Sequence, residues 1–207
     1  MSESAPSLIS HNASRLRELH DHMMEACQRE PHGPEHKAAC EAFHAQYDQL
    51  AFPGGLGRGL ALLGGKHPYA VETAIAFLEA DPWFHRSGYI KEKLLSRLKH
   101  VPLSQHDVRR LSRLVIRSVD GGGRREFHAY ARLAGALQAQ VVAETMRERQ
   151  ASRDPEVARR ANEVLHVLAS RTGVSKTEEL HRANSTVSSS ARQAAKRSAS
   201  STSSASR

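Results

Sequence analysis

Apolar side chains recur at intervals of three and four residues along most of the first 170 positions of this chain, the spacing by which an amphipathic helix collects them on one face. The earliest stripe is Leu16, Leu19, Met23 and Cys27, and it ends before Pro31. The turn Pro31-His32-Gly33-Pro34 follows, and Cys40, Phe43, Tyr47 and Leu50 carry a second stripe beyond it. These two stripes predict an antiparallel helical hairpin over residues 10–50, with residues 1–9 a disordered lead-in. Phe52 to Lys66 then holds six glycines around Leu60, Ala61, Leu62 and Leu63, which predicts a Gly-rich connector over 51–67 with one short helix in it.

From Pro68 the stripes are sharper. Val71, Ala74, Ile75 and Leu78 share a face, with Pro68 suited to a first helical turn. Asp81-Pro82 reads as an N-cap followed by an N1 proline, opening a helix with Ile90, Leu94, Leu98 and Val101 inward and Pro102 as its stop. Ser104 and Asp107 form an S-x-x-D capping box ahead of Val108, Leu111, Val115 and Val119, and Gly121, Gly122 and Gly123 end that helix. One long helix is expected from Arg124 to Gln150, through Phe127, Tyr130, Ala134, Leu137 and Val141. Asp154-Pro155 opens another, with Val157, Ala161, Val164, Leu165 and Leu168 on one face and Gly173 as its stop.

The segment from Asp154 to Ala169, with Asp154-Pro155, Val157, Ala161, Leu165, Leu168 and Ala169 in place, resembles the core of a HEAT repeat unit. Asp81-Pro82 with Leu94, Leu95 and Leu98 is a weaker echo, and Asp120 departs from the pattern because three glycines follow it. Asp81, Asp120 and Asp154 stand 39 and 34 residues apart, near the period of paired-helix solenoids. The resemblance reaches over about residues 68–171. It implies an all-α fold, an N-terminal hairpin followed by HEAT-like or armadillo-like stacked helix pairs over 68–173, whose surface binds proteins or nucleic acids without catalysis. The family's DNA alkylation glycosylases set aromatic rings and a carboxylate around a base, and Trp83 is the one tryptophan available here. An irregular helical bundle accounts for the same stripes.

Composition changes the picture mainly through charge. Thirty Lys and Arg stand against 22 Asp and Glu, and the excess is uneven: residues 1–50 are net −4, whereas 51–150 are net +7 and 151–207 net +5. His85 to Arg132 alone holds 12 basic and 4 acidic residues. An acidic partner is the natural inference. Twenty-three of the 30 cations are arginine, whose guanidinium grips a carboxylate or phosphate with two parallel bonds. From Ser185 to Arg207 ten of 23 residues are serine and every charge is basic, so residues 174–207 read as a disordered basic tail. Ten aromatic residues disfavour a strand-rich core, and no run approaches the roughly 20 apolar residues of a spanning helix. Residues 1–30 lack a secretory layout and two cysteines make no disulfide scaffold, so a cytoplasmic protein is expected, with no membrane partner.

Three motifs offer residues of the right kind for chemistry. His36, Cys40 and His44 recur every four residues, and the hairpin turn can return Cys27 and His32 toward them, a candidate Cys and His zinc site whose spacing matches no finger pattern. The plain reading is chance clustering among 13 histidines, and no cofactor is expected. The Gly54–Lys66 stretch fails as a phosphate loop, since Leu60 occupies the required glycine position and His67 the Ser or Thr position. No Ser, His and acid set is spaced as a relay, so no enzyme is expected.

What remains is a basic helical surface. Arg109, Arg113 and Arg117 recur every four residues opposite the apolar stripe, joined by Arg110, and Lys91, Lys93, Arg97 and Lys99 do likewise on the preceding helix, with Arg124 and Arg125 next in the chain. Two uses follow. A scaffold would bind an acidic protein or peptide along a helical groove. Alternatively, the strip over residues 86–132, with Arg192, Lys196 and Arg197 of the tail, would follow a DNA or RNA backbone without reading sequence.

Overall fold

The structure is a computed structural model, and it describes residues 5–121, 124–137 and 139–170. Among these residues all regular structure is helical, in eight helices and a further helical stretch: α1 (Ala5–Arg29), α2 (Pro34–Ala51), α3 (Leu56–Gly64), α4 (Pro68–Ala80), α5 (Ser87–Leu98), α6 (Gln105–Asp120), α7 (Phe127–Leu137), α8 (Gln140–Gln150) and the stretch 155–170. The expected basic tail, 174–207, lies outside the described residues. No described helix is long and apolar enough to cross a membrane.

The hairpin forms as its turn chemistry dictates, with Pro34 at the start of α2 and Gly33 extended before it. Its first helix begins earlier than the stripe suggested, at Ala5 rather than residue 10. Ile9, Asn12 and Ala13 continue the buried face of Leu16 and Leu19 back by two turns, so Ser7 to Ser14, polar on average, is drawn into helix by its two buried apolar members, Ile9 and Ala13. Gly54 and Gly55 turn the chain after α2 with φ of 78° and 90°, a region open to glycine. In α3, a β-carbon on Gly59 would press into the buried ring of Phe52, so the short helix lies directly against that ring.

α4 is the hub. It is buried at Ala70, Val71 and every position from Thr73 to Leu78, and it touches α1, α3, α5 and α6. Around it the elements pack in alternation: α5 meets α4 and α7, α6 meets α4 and α7, and α8 returns to α6. One continuous apolar core runs from Ile9 to Val164.

Two expected boundaries are corrected. Asp81 does not open a helix; it closes α4 in the left-handed conformation (φ 47°, ψ 49°), its N–H donating to the Phe77 carbonyl. Pro82 and Phe84 are buried instead, and α5 begins at Ser87, whose Oγ accepts from the Phe84 N–H. The helix expected from Arg124 to Gln150 is broken between Leu137 and Gln140, and Ala139 is extended. The reason is a slip in apolar phase. Phe127, Tyr130, Ala134 and Leu137 would bring Val141 inward, yet Val141 is exposed while Val142 and Met146 are fully buried, and the break rotates α8 to bring those two onto the core. The capping box at Ser104 and Asp107 and the Asp154 cap on the N–H groups of Glu156 and Val157 form as the residue types predict.

Candidate functional site

A cation is available to a partner only where the fold has not already used it, so the expected basic strip divides according to what each side chain touches. Lys91 leaves the strip altogether. It is buried, paired with Asp81 and 3.5 Å from Glu126, itself buried. α5 is covered by α3, α4 and α7, so its inward arc is wide enough to take position 91 along with Ile90, Leu94, Leu95 and Leu98. Arg124 reaches the other carboxylate oxygen of Asp81.

These groups border a cleft of about 150 Å³ lined by Asp81, Arg117, Arg124, Glu126, Phe127 and Tyr130. Burial works to raise the Asp81 carboxyl, but hydrogen bonds and charge from Lys91 and Arg124 outweigh it and hold the group below the usual range. Burial pushes the Tyr130 hydroxyl up, reinforced by Asp81 and Glu126.

Arg110 is similarly committed, forking onto both oxygens of Glu79 at 2.8 and 2.6 Å and onto Glu72 at 2.6 Å, which ties α6 to α4. Arg117 donates to the carbonyls of Leu78 and Glu79 at the end of α4, and Arg97 to that of Leu60 in α3. Arg160, buried, repeats the device one layer on, donating to the Val119 carbonyl at the end of α6 at 2.7 Å. Arg125 pairs with Glu92 and lies 3.8 Å over the Tyr89 ring. Most of the arginines singled out by the sequence are therefore struts between helices.

Arg109 and Arg113 are the exception. Both are exposed and neither forms a hydrogen bond or ion pair with a described residue. They flank a groove of about 550 Å³ between α6 and the α7–α8 junction, floored by Val108, Ile116, Leu137, Ala139 and Val141, of which Val141 is 53% exposed. A second groove, about 380 Å³ between α5 and α7, is lined by Lys93, Lys99, Arg125, His128 and Arg132, with Glu92 its one carboxylate. His128 and Arg132 join Lys93 and Lys99 only through the packing of α5 on α7, for which the sequence carries no local signal.

The zinc alternative finds no support. Cys27, His36, Cys40 and His44 do not gather, and no cluster of three metal-ligating side chains occurs among the described residues. The His36 Nδ1 accepts from the His32 backbone N–H at 3.0 Å, and His44 sets its ring edge against Phe43.

A different histidine contact joins the hairpin to the 82–86 loop, where His20 stacks on His85 at 4.8 Å with Phe43 edge-on to both. Burial, together with the charges of His20, Arg86 and His44, lowers the His85 pKa from 6.5. The folded state therefore resists a proton that the unfolded chain accepts, and stability falls as pH drops through about 6.5. The Glu79, Asp81 and Asp120 carboxyls are also lowered, Glu79 chiefly by its bonds to Arg110 and Asp120 by those to Arg149, so their stabilisation is complete above their ordinary values and is lost on further acidification. A plot of melting temperature against pH is expected to decline in two stages, near pH 6 and then below about 5. Replacing His85 by Gln should remove only the first stage, and an unaltered first stage would refute its assignment to this contact.

The fold and these surfaces define an all-α protein. Comparison with family models, with curated proteins and with solved structures yields no match to this chain.

Proposed function

We propose that the protein is a non-enzymatic helical scaffold of HEAT-like stacked helix pairs that binds an acidic segment of another protein in the groove between α6 and the α7–α8 junction. The observation that carries this reading is the coincidence of two uncommitted arginines, Arg109 and Arg113, with an apolar floor on a surface whose neighbouring arginines are all engaged internally. The alternation of α4 on α6 and α5 on α7 supports the stacked-pair reading. Arg109 and Arg113 stand one turn apart, about 6 Å along the axis, a match for two carboxylates one turn apart on a partner helix. Val141 and Ile116 supply the apolar contact that gives such a peptide affinity, and the arginines supply its selectivity. The basic C-terminal tail has the wrong sign to fill this groove.

The test is a selection of random peptides displayed against the whole protein. Recovered sequences should pair Asp or Glu with Leu, Ile or Phe at helical spacing, and should bind Arg109→Glu/Arg113→Glu at least about 100-fold more weakly, a loss of about 2.7 kcal/mol. Their salt dependence should be modest. Peptides without acidic residues, or equal binding to the double variant, would sink the proposal.

A further inference from the structure

We infer that the α5–α7 groove is a second site, separate from the peptide groove, and that it takes the phosphodiester backbone of a single-stranded nucleic acid. The side chains of Arg86, Lys93, Lys99 and Arg132 form no hydrogen bond or ion pair with a described residue, in contrast to those of Arg97, Arg110, Arg117 and Arg160. Lys93, Lys99 and Arg132 line the groove and Arg86 the hollow beyond Lys93; Glu92 is the carboxylate of the groove lining, answered by Arg125, and Glu163 pairs with His128 at its edge. Unneutralised cations along a groove attract a polyanion and release its counterions on binding.

Shape and composition then select among polyanions. The groove continues past Lys93 into a neighbouring hollow of about 320 Å³ lined by Tyr47, Leu56, Arg86, Tyr89 and Ile90, so two aromatic rings share the surface with the cations. Tyr89 is 48% exposed and backed by the Arg125 guanidinium on one face of its ring. Bases in a duplex are already stacked on one another, whereas an unpaired base can lie on such a ring. From Tyr89 to Lys99 the helix axis advances about 15 Å, the rise of roughly four stacked nucleotides at 3.4 Å each. A protein partner is disfavoured along the α5–α7 groove itself, where Ala129 is the single aliphatic residue of the lining; Leu56 and Ile90 line only the neighbouring hollow, beside the tyrosines.

The test uses the full chain, tail included, and fluorescence anisotropy of a labelled oligo(dT) of about twelve nucleotides and of a duplex of equal length, over a series of NaCl concentrations. The oligo(dT) should bind more tightly than the duplex, and log affinity against log salt should fall with a slope near −3, as about four phosphate contacts on a single strand require. Lys93→Glu/Lys99→Glu/Arg132→Glu should lose at least about 100-fold and flatten the slope. Tyr89→Ala should lose about tenfold with the slope unchanged. Arg109→Glu/Arg113→Glu, which also reverses two charges, should stay within about threefold, so failure of this site and failure of the peptide groove are distinguishable. Lys93 and Arg132 are exposed and Lys99 half-buried, so circular dichroism confirms that the triple variant keeps its fold. Unchanged binding by the triple variant, tighter binding of the duplex, equal loss in the α6 variant, or no binding of either probe would each overturn the inference.

Discussion

Truncating Lys91 to alanine is expected to destabilise the protein by about 3–5 kcal/mol, although the sequence presents it as one lysine in an exposed basic run. The ammonium sits with a side chain 3% exposed between Asp81 and Glu126, whose side chain is 8% exposed. Removing it leaves Glu126 without its cation away from water, while Asp81 keeps Arg124. The larger part of the loss should therefore come from Glu126. Urea denaturation of Lys91→Ala, of Glu126→Gln and of the double variant Lys91→Met/Glu126→Gln checks this. The double variant should recover much of the loss, since removing both charges leaves no unpaired ion. A Lys91→Ala protein within about 1 kcal/mol of wild type would show that the lysine is solvated and belongs to the surface after all.

Arg160→Ala is expected to cost about 2–3 kcal/mol, the range for a buried hydrogen bond from a charged donor together with the packing of its stem. Its guanidinium is the link from the 155–170 stretch to the C-terminal end of α6, where the Val119 carbonyl has no partner further along the helix. Without it the last stretch should detach first. Amide exchange should accelerate over residues 155–170 with α4 and α5 still protected. Uniform acceleration throughout the chain would mean that the stretch unfolds only with the whole domain. Lysine at 160 should restore little, because a point charge on a shorter stem lacks the planar fork of arginine.

How far the sequence could be read follows from the range of each signal. The Pro31–Pro34 turn, the capping box at Ser104 and the Asp154 cap are legible because cause and effect lie within four residues. The inward placement of Val141 fails because a stripe read onward from Phe127 assumes an unbroken helix, and nothing local at Gln138 and Ala139 in the sequence marks the slip that buries Val142 and Met146 instead. The arginines were misjudged for a stronger reason. Arg110 meets Glu79 across 31 residues, Arg117 meets Leu78 across 39, Arg160 meets Val119 across 41 and Arg124 meets Asp81 across 43. A guanidinium bound to a carbonyl two helices away has the same sequence environment as one facing water.

Of the candidate partner-binding residues, Arg109 and Arg113 alone are exposed and free of hydrogen bonds and ion pairs with described residues, Arg113 adding only its charge to the field at Glu79. Lys93 and Lys99 are legible in the sequence as part of the basic strip, but their grouping with His128 and Arg132 in one groove is not, because it arises only where α5 packs on α7. Tyr89 joins them only when α5 lies on α7 and Arg125 reaches its ring.

By itself the sequence determined an all-helical chain, the hairpin, most helix ends and a basic middle region, since helix periodicity, caps and net charge are properties of neighbouring residues or of simple sums. Tertiary structure decided which charges are spent inside the fold and which are left for a partner. The balance between burying an ion against a distant counterion and leaving it in water depends on distance and exposure, and both exist only after the helices have packed.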